Sequence, residues 1–95
     1  MTDLGGRVTI ITGAGSGIGL AMTQAFLEAG ARVFAVDLDA GRLADLAATA
    51  AAPEALATHV ADVAAEGPIL GMLAACDAAF GPVEVICNNA GILDR

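Results

Sequence analysis

Thr12-Gly13-Ala14-Gly15-Ser16-Gly17-Ile18-Gly19 is the stretch of this chain with the clearest chemistry to offer. Glycine stands at every second position from Gly13 to Gly19, directly behind the run Val8-Thr9-Ile10-Ile11. A helical pattern begins where the glycines end. A strand that turns through glycines into a helix presents bare backbone N–H groups at the helix N-terminus. Those groups, together with the helix dipole, bind a phosphate. A Cβ there would forbid some of the dihedrals and hold a pyrophosphate away from the backbone. A merely flexible Gly/Ser loop has no need of flanks with strand and helix periodicity.

Three further groups share this placement behind apolar runs. Asp37 closes Val33-Phe34-Ala35-Val36 and lies 18 residues after Gly19. A carboxylate there can accept hydrogen bonds from both hydroxyls of an adenosine ribose, and it repels a 2′-phosphate. Leu38 follows it and Ser16 sits within the glycine turn, so the sequence places no arginine nearby to hold such a phosphate. NAD is therefore expected over NADP. Asp39 is free to cap the next helix, which leaves Asp37 for another task. Asp62-Val63 follows a third run, where a carboxylate can meet an adenine amino group while Val63 packs the ring; a solvated loop aspartate fits equally well. Asn88-Asn89-Ala90-Gly91 follows a fourth, with amides that tie strand ends together or donate to a ribose.

The elements that must position these residues alternate. Strands are expected over Arg7–Thr12, Arg32–Asp37, Leu56–Val60 and Val83–Cys87, where apolar, largely β-branched residues run together. The first helix is expected over Ile18–Ala29, with Ile18, Met22, Ala25, Phe26 and Ala29 inward and Gly30 closing it. Asp39 begins a second, with Leu43, Leu46, Ala47 and Ala50 inward. A third runs from Glu66 to Phe80 on a stripe of Ile69, Leu73, Cys76 and Phe80. The order β-α-β-α-β-α-β implies an α/β fold, a parallel sheet with helices on both faces. Ligands of such sheets lie outside the carboxyl ends of the strands, where all four groups fall.

The glycine spacing discriminates further. The common dinucleotide fingerprint G-x-G-x-x-G fails from Gly13, where Ile18 takes the third place, and from Gly15, where Leu20 does. A P-loop is excluded because the chain has no lysine. What fits is T-G-x-x-x-G-x-G through Thr12, Gly13, Gly17 and Gly19. With Asp37, Asp62-Val63 and the N-N-A-G run about 70 residues downstream, this closely resembles the short-chain dehydrogenase/reductase family, of the NAD-preferring type, from Arg7 to Leu93.

The resemblance implies a Rossmann-like doubly wound parallel sheet in strand order 3-2-1-4. It implies that Gly13, Ser16, Gly17, Ile18 and Gly19 line the pyrophosphate, with Ile18 toward the nicotinamide. Asp37, beside Leu38, would hold the adenine ribose, and Asp62 and Val63 the adenine. Asn89, Ala90 and Gly91 would line the ribose while Asn88 braces the sheet. It implies reversible hydride transfer between NAD(H) and a small alcohol or ketone, in a parent that forms homo-oligomers. That chemistry uses a tyrosine whose pKa a lysine four residues on lowers, and a serine that orients substrate. This chain has neither tyrosine nor lysine. It is therefore read as the amino-terminal cofactor-binding part, residues 1–95, of a single domain, with its fourth strand left as an open edge. The isolated chain is then expected to be marginally stable or prone to aggregate.

Composition narrows the rest. The net charge is −7, from 11 acidic residues against 4 arginines, so no basic patch exists for nucleic acid. Val8 to Leu27 is uncharged, but its four glycines, three threonines, Ser16 and Gln24 make a poor membrane helix, and Asp3 spoils a signal peptide. A soluble, cytoplasmic protein with no membrane partner is expected. Cys76 and Cys87 fit neither a disulfide framework nor a metal site and read as buried, inert thiols. His59 stands alone and reads as structural or surface. Two alternatives remain: a non-catalytic nucleotide-binding module, and an S-adenosylmethionine methyltransferase with Gly13-x-Gly15-x-Gly17 as its loop. The latter usually has an acid before the loop, where Thr12 stands here.

Overall fold

A computed structural model describes residues 5–62 and 66–89 of the chain. Four strands, β1 (Val8–Thr12), β2 (Arg32–Asp37), β3 (Leu56–Val60) and β4 (Val85–Asn88), form one sheet in the order β3-β2-β1-β4. Every pairing is parallel. Helices α1 (Gly17–Glu28), α2 (Ala40–Thr49) and α3 (Glu66–Phe80) connect them, with a 3₁₀ turn at Pro53–Ala55. This is the doubly wound α/β arrangement expected.

Alternation along β1 and β2 sends side chains to two cores. Ile11, Val33 and Ala35 pack with Leu27 of α1 and Leu43 and Leu46 of α2. Val8, Ile10, Phe34 and Val36 face Met72 and Cys76 of α3. All five residues of β1 are buried, as befits a central parallel strand covered on both faces. His59 lies ring to ring with Phe34, 5.4 Å between centroids, a packing role.

Three expectations need correction. The deepest face of α1 is Gly19, Thr23 and Leu27; Ile18, Ala25 and Ala29 are exposed, and Met22 and Phe26 only half-buried. Close approach of helix to sheet selects small residues, which apolar periodicity does not register. Ala47 is likewise exposed. The fourth strand is Val85–Asn88 rather than Val83–Cys87, because the Glu84 side chain takes the place of a strand partner. Its Oε1 accepts from the Val8 N–H at 3.0 Å, while the Glu84 N–H donates to the Val8 carbonyl at 2.8 Å. Cys76 is fully buried, but Cys87 is only half-buried. Burial pushes both thiols above the usual range, with Asp77 adding to the effect at Cys76.

Candidate functional site

The parallel register brings the carboxyl ends of the strands to one edge. Thr12 is level with Val36 on one side and Asn88 on the other, and Asp37 is level with Val60. β2 and β3 lie to one side of β1 and β4 to the other, so the turn after β1 occupies the point where the winding reverses. Gly13 and Gly17 hold left-handed backbone, φ +64° and +57°. Gly17 starts α1, and its positive φ lets the chain turn from the extended Ser16 directly into the helix. Gly19 is the point of closest approach: a Cβ there would run into the Gly13 carbonyl. The first N–H groups of α1 have no intrahelical acceptor.

Asp37 is joined to the turn directly. Its Oδ2 accepts from the Gly15 N–H at 2.9 Å and its Oδ1 from the Asp39 N–H at 3.0 Å. The Ala14 N–H donates to the Val36 carbonyl at 3.0 Å, which fixes the turn against the end of β2. The carboxylate is only 8% exposed, yet each oxygen keeps a further lone pair for an incoming hydroxyl. Capping of α2 falls to Asp39, whose Oδ1 accepts from the Arg42 N–H. Beyond Asp37 the rim is apolar: Leu38 is 66% exposed and Ile18 72%.

On the other side of β1, the Thr12 hydroxyl donates to Asn88 Oδ1 at 2.8 Å and accepts from the Asn89 N–H at 3.0 Å. Asn88 is thus a strand residue tied across to β1, not part of a turn. The Asn89 amide nitrogen contacts Met22 Sδ at 3.7 Å. A groove of about 150 Å³ opens between α3 and β4, lined by Thr12, Ile69, Met72, Leu73, Ile86 and Asn88. It is smaller than a typical ligand pocket.

The structure therefore gathers Gly13, Ser16, Gly17, Ile18, Gly19, Asp37 and Leu38 around one turn, with Asn89 across β1. Asp62 is exposed just beyond β3. Val63, Ala90 and Gly91 lie outside the described residues. Arg42 stands beside the turn, with its Nε 3.7 Å from Asp39 Oδ2. The Arg42 Cβ is 2.6 Å, and Asp37 Oδ2 3.0 Å, from the point a Gly15 Cβ would occupy. No described helix is long and apolar enough to cross a membrane.

The turn combines backbone that a side chain would obstruct with a buried carboxylate that keeps acceptor capacity. The profile of a family described as short chain dehydrogenase matches residues 7–95. The 2-(R)-hydroxypropyl-CoM dehydrogenase of Xanthobacter autotrophicus is 47% identical over 89 residues, which is 90% of this chain and 35% of that protein. A short-chain dehydrogenase/reductase of Burkholderia phymatum, solved in complex with NAD, superposes with a TM-score of 0.80 at 31% identity, over 90% of this chain and 31% of that one. The 3-ketoacyl-(acyl-carrier-protein) reductase of Brucella melitensis, complexed with NADH, gives 0.81 at 34% identity, over 87% and 34%. The chain spans about a third of the length of these relatives.

Proposed function

The chain belongs to the short-chain dehydrogenase family, and we propose that it holds NAD(H) for reversible hydride transfer between that cofactor and a small alcohol or ketone. The observation that carries this reading is the Asp37 carboxylate, buried at the end of β2 and bonded to the Gly15 N–H of the glycine turn. That bond sets an acceptor for ribose hydroxyls beside donors for a pyrophosphate. The negative charge favours NAD over its 2′-phosphorylated form. Gly13, Ser16, Gly17, Ile18 and Gly19 would hold the pyrophosphate, Leu38, Asp62 and Val63 the adenine side, and Asn89, Ala90 and Gly91 the second ribose. When bound, the nicotinamide supplies the hydride acceptor or donor.

No tyrosine or lysine exists among the 95 residues. The proton transfer that accompanies hydride transfer in this family therefore belongs to residues outside them. On this reading residues 1–95 are the amino-terminal, cofactor-binding part of one domain. Family membership removes the methyltransferase alternative. Titration of the chain with NADH, followed by nicotinamide fluorescence, tests the proposal. Saturable binding that 5′-AMP displaces is expected; no binding at millimolar NADH would sink it.

A further inference from the structure

We infer that Met22 is a positioning residue, whose thioether sulfur fixes which end of the Asn89 carboxamide is offered to the cofactor. The inference rests on the reading above that puts Asn89 at the second ribose. Met22 lies in α1 and Asn89 directly after β4, yet Asn89 Nδ2 is 3.7 Å from Met22 Sδ. A thioether carries no hydrogen on its sulfur and can only accept. The NH₂ end of the carboxamide must therefore face Met22, which leaves Oδ1 at the other end as an acceptor. Without an acceptor at position 22, the carboxamide could turn about χ2 and present either end.

Both partners are held from behind. The Asn89 N–H donates to Thr12 Oγ1 at 3.0 Å, so the backbone is tied to β1 and the side chain keeps the remaining freedom. Met22 packs, with Leu20 and Phe26, against the core formed by Ile11, Leu27 and Val33. Its sulfur is thus carried on a packed face of α1. Sulfur is a weak acceptor, but choosing between the two ends of one carboxamide needs only a small preference. An aliphatic side chain of the same bulk would fill the space and make no such choice.

Met22→Leu keeps the bulk and removes the acceptor, a swap that cores tolerate well. Met22→Gln restores an acceptor oxygen at similar reach. Heteronuclear NMR of the cofactor-free wild type should show a nuclear Overhauser contact between the Met22 methyl group and the Asn89 side-chain amide protons. In Met22→Leu those amide resonances should move, while the Asn89 backbone N–H, held by Thr12, stays in place. NADH and 5′-AMP dissociation constants separate orientation from packing, because 5′-AMP lacks the second ribose. Met22→Leu should weaken NADH about three- to tenfold, the range for ordering one further side chain on binding, and leave 5′-AMP unchanged. Met22→Gln should recover most of the loss. Far-UV circular dichroism controls for folding. Equal weakening of both ligands, or an unchanged NADH constant in folded Met22→Leu, overturns the inference. So does absence of the Overhauser contact in the wild type, a result that needs no variant to fold. A wild type that binds NADH yet fails these tests overturns this inference alone. A wild type that does not bind NADH overturns the cofactor reading and takes the role of Met22 with it.

Discussion

Replacing Gly19 with alanine adds one methyl group to a helix, a change that in open helix stabilises by about 1 kcal/mol. Here the sign should reverse. The new Cβ meets the Gly13 carbonyl oxygen, with the Gly13 carbonyl carbon at 2.7 Å and Ala14 Cα at 3.2 Å. All three are backbone atoms, so no rotamer change relieves the clash. The turn cannot easily retreat either, because the Ala14 N–H is bonded to the Val36 carbonyl and the Gly15 N–H to Asp37. Overpacking of this kind costs about 1–3 kcal/mol, and the rigidity of the neighbours places Gly19→Ala toward the upper end. At about 4–8 °C per kcal/mol for a domain of this size, Tm should fall by roughly 10–20 °C. Gly71→Ala supplies the contrast: it lies in α3 with nothing within 4 Å of the added Cβ. It should gain about 1 kcal/mol. Thermal unfolding followed at 222 nm measures both. If Gly19→Ala melts with or above the wild type, the close approach of α1 to the turn is not what requires glycine there.

Two further outcomes follow from the core. Thr9 Oγ1 is fully buried and has no partner among the described residues; Thr9→Val keeps the shape, removes the orphan hydroxyl and should raise stability by about 1 kcal/mol in urea unfolding. A loss instead would show that the hydroxyl is bonded. Burial raises the Cys76 and Cys87 thiols in the folded chain above the ordinary value of 9.0, so the unfolded thiols ionise first. Their contribution is complete below about pH 9 and is lost as pH climbs through the folded values. Because the chain has no lysine or tyrosine, this alkaline fall in Tm should be visible between pH 8 and 10.5 and should flatten in Cys76→Ala/Cys87→Ala. An equally steep fall in that variant would assign it elsewhere.

The order of elements could be read from the sequence because each apolar run is bounded by a residue with one strong preference: Gly30 after α1, Asp39 before α2, Gly81-Pro82 after α3. Asp39 caps as its type predicts, and β3 and α3 have the boundaries expected. The inward face of α1 was not legible. Alanine, glycine and threonine carry little hydrophobic contrast, and what selects Gly19 is distance to another piece of backbone. The start of β4 was hidden for a different reason, since a side-chain carboxylate mimics a strand partner only once β1 and β4 are adjacent. The approach of the Arg42 Cβ to the glycine turn was not legible either, since it depends on how α2 packs beside Gly15.

The two features most legible in the sequence, the glycine turn and Asp37, are one structure rather than two. The bond from the Gly15 N–H to Asp37 spans 22 residues and closes the end of β2 onto the turn after β1. A carboxylate that only read a ribose would need no such partner, and a turn that only bound phosphate would need no acid. Joined, each limits the other: loss of the acceptor at Asp37 releases Gly15 as well as the ribose. Exchange of Asp37 for a residue without an acceptor, such as alanine, should therefore weaken the pyrophosphate cradle along with the choice of cofactor. Asn, which keeps one oxygen, should alter the choice and largely spare the cradle. A change of cofactor preference in this chain is thus a question of which atom next receives the Gly15 N–H, as much as of charge.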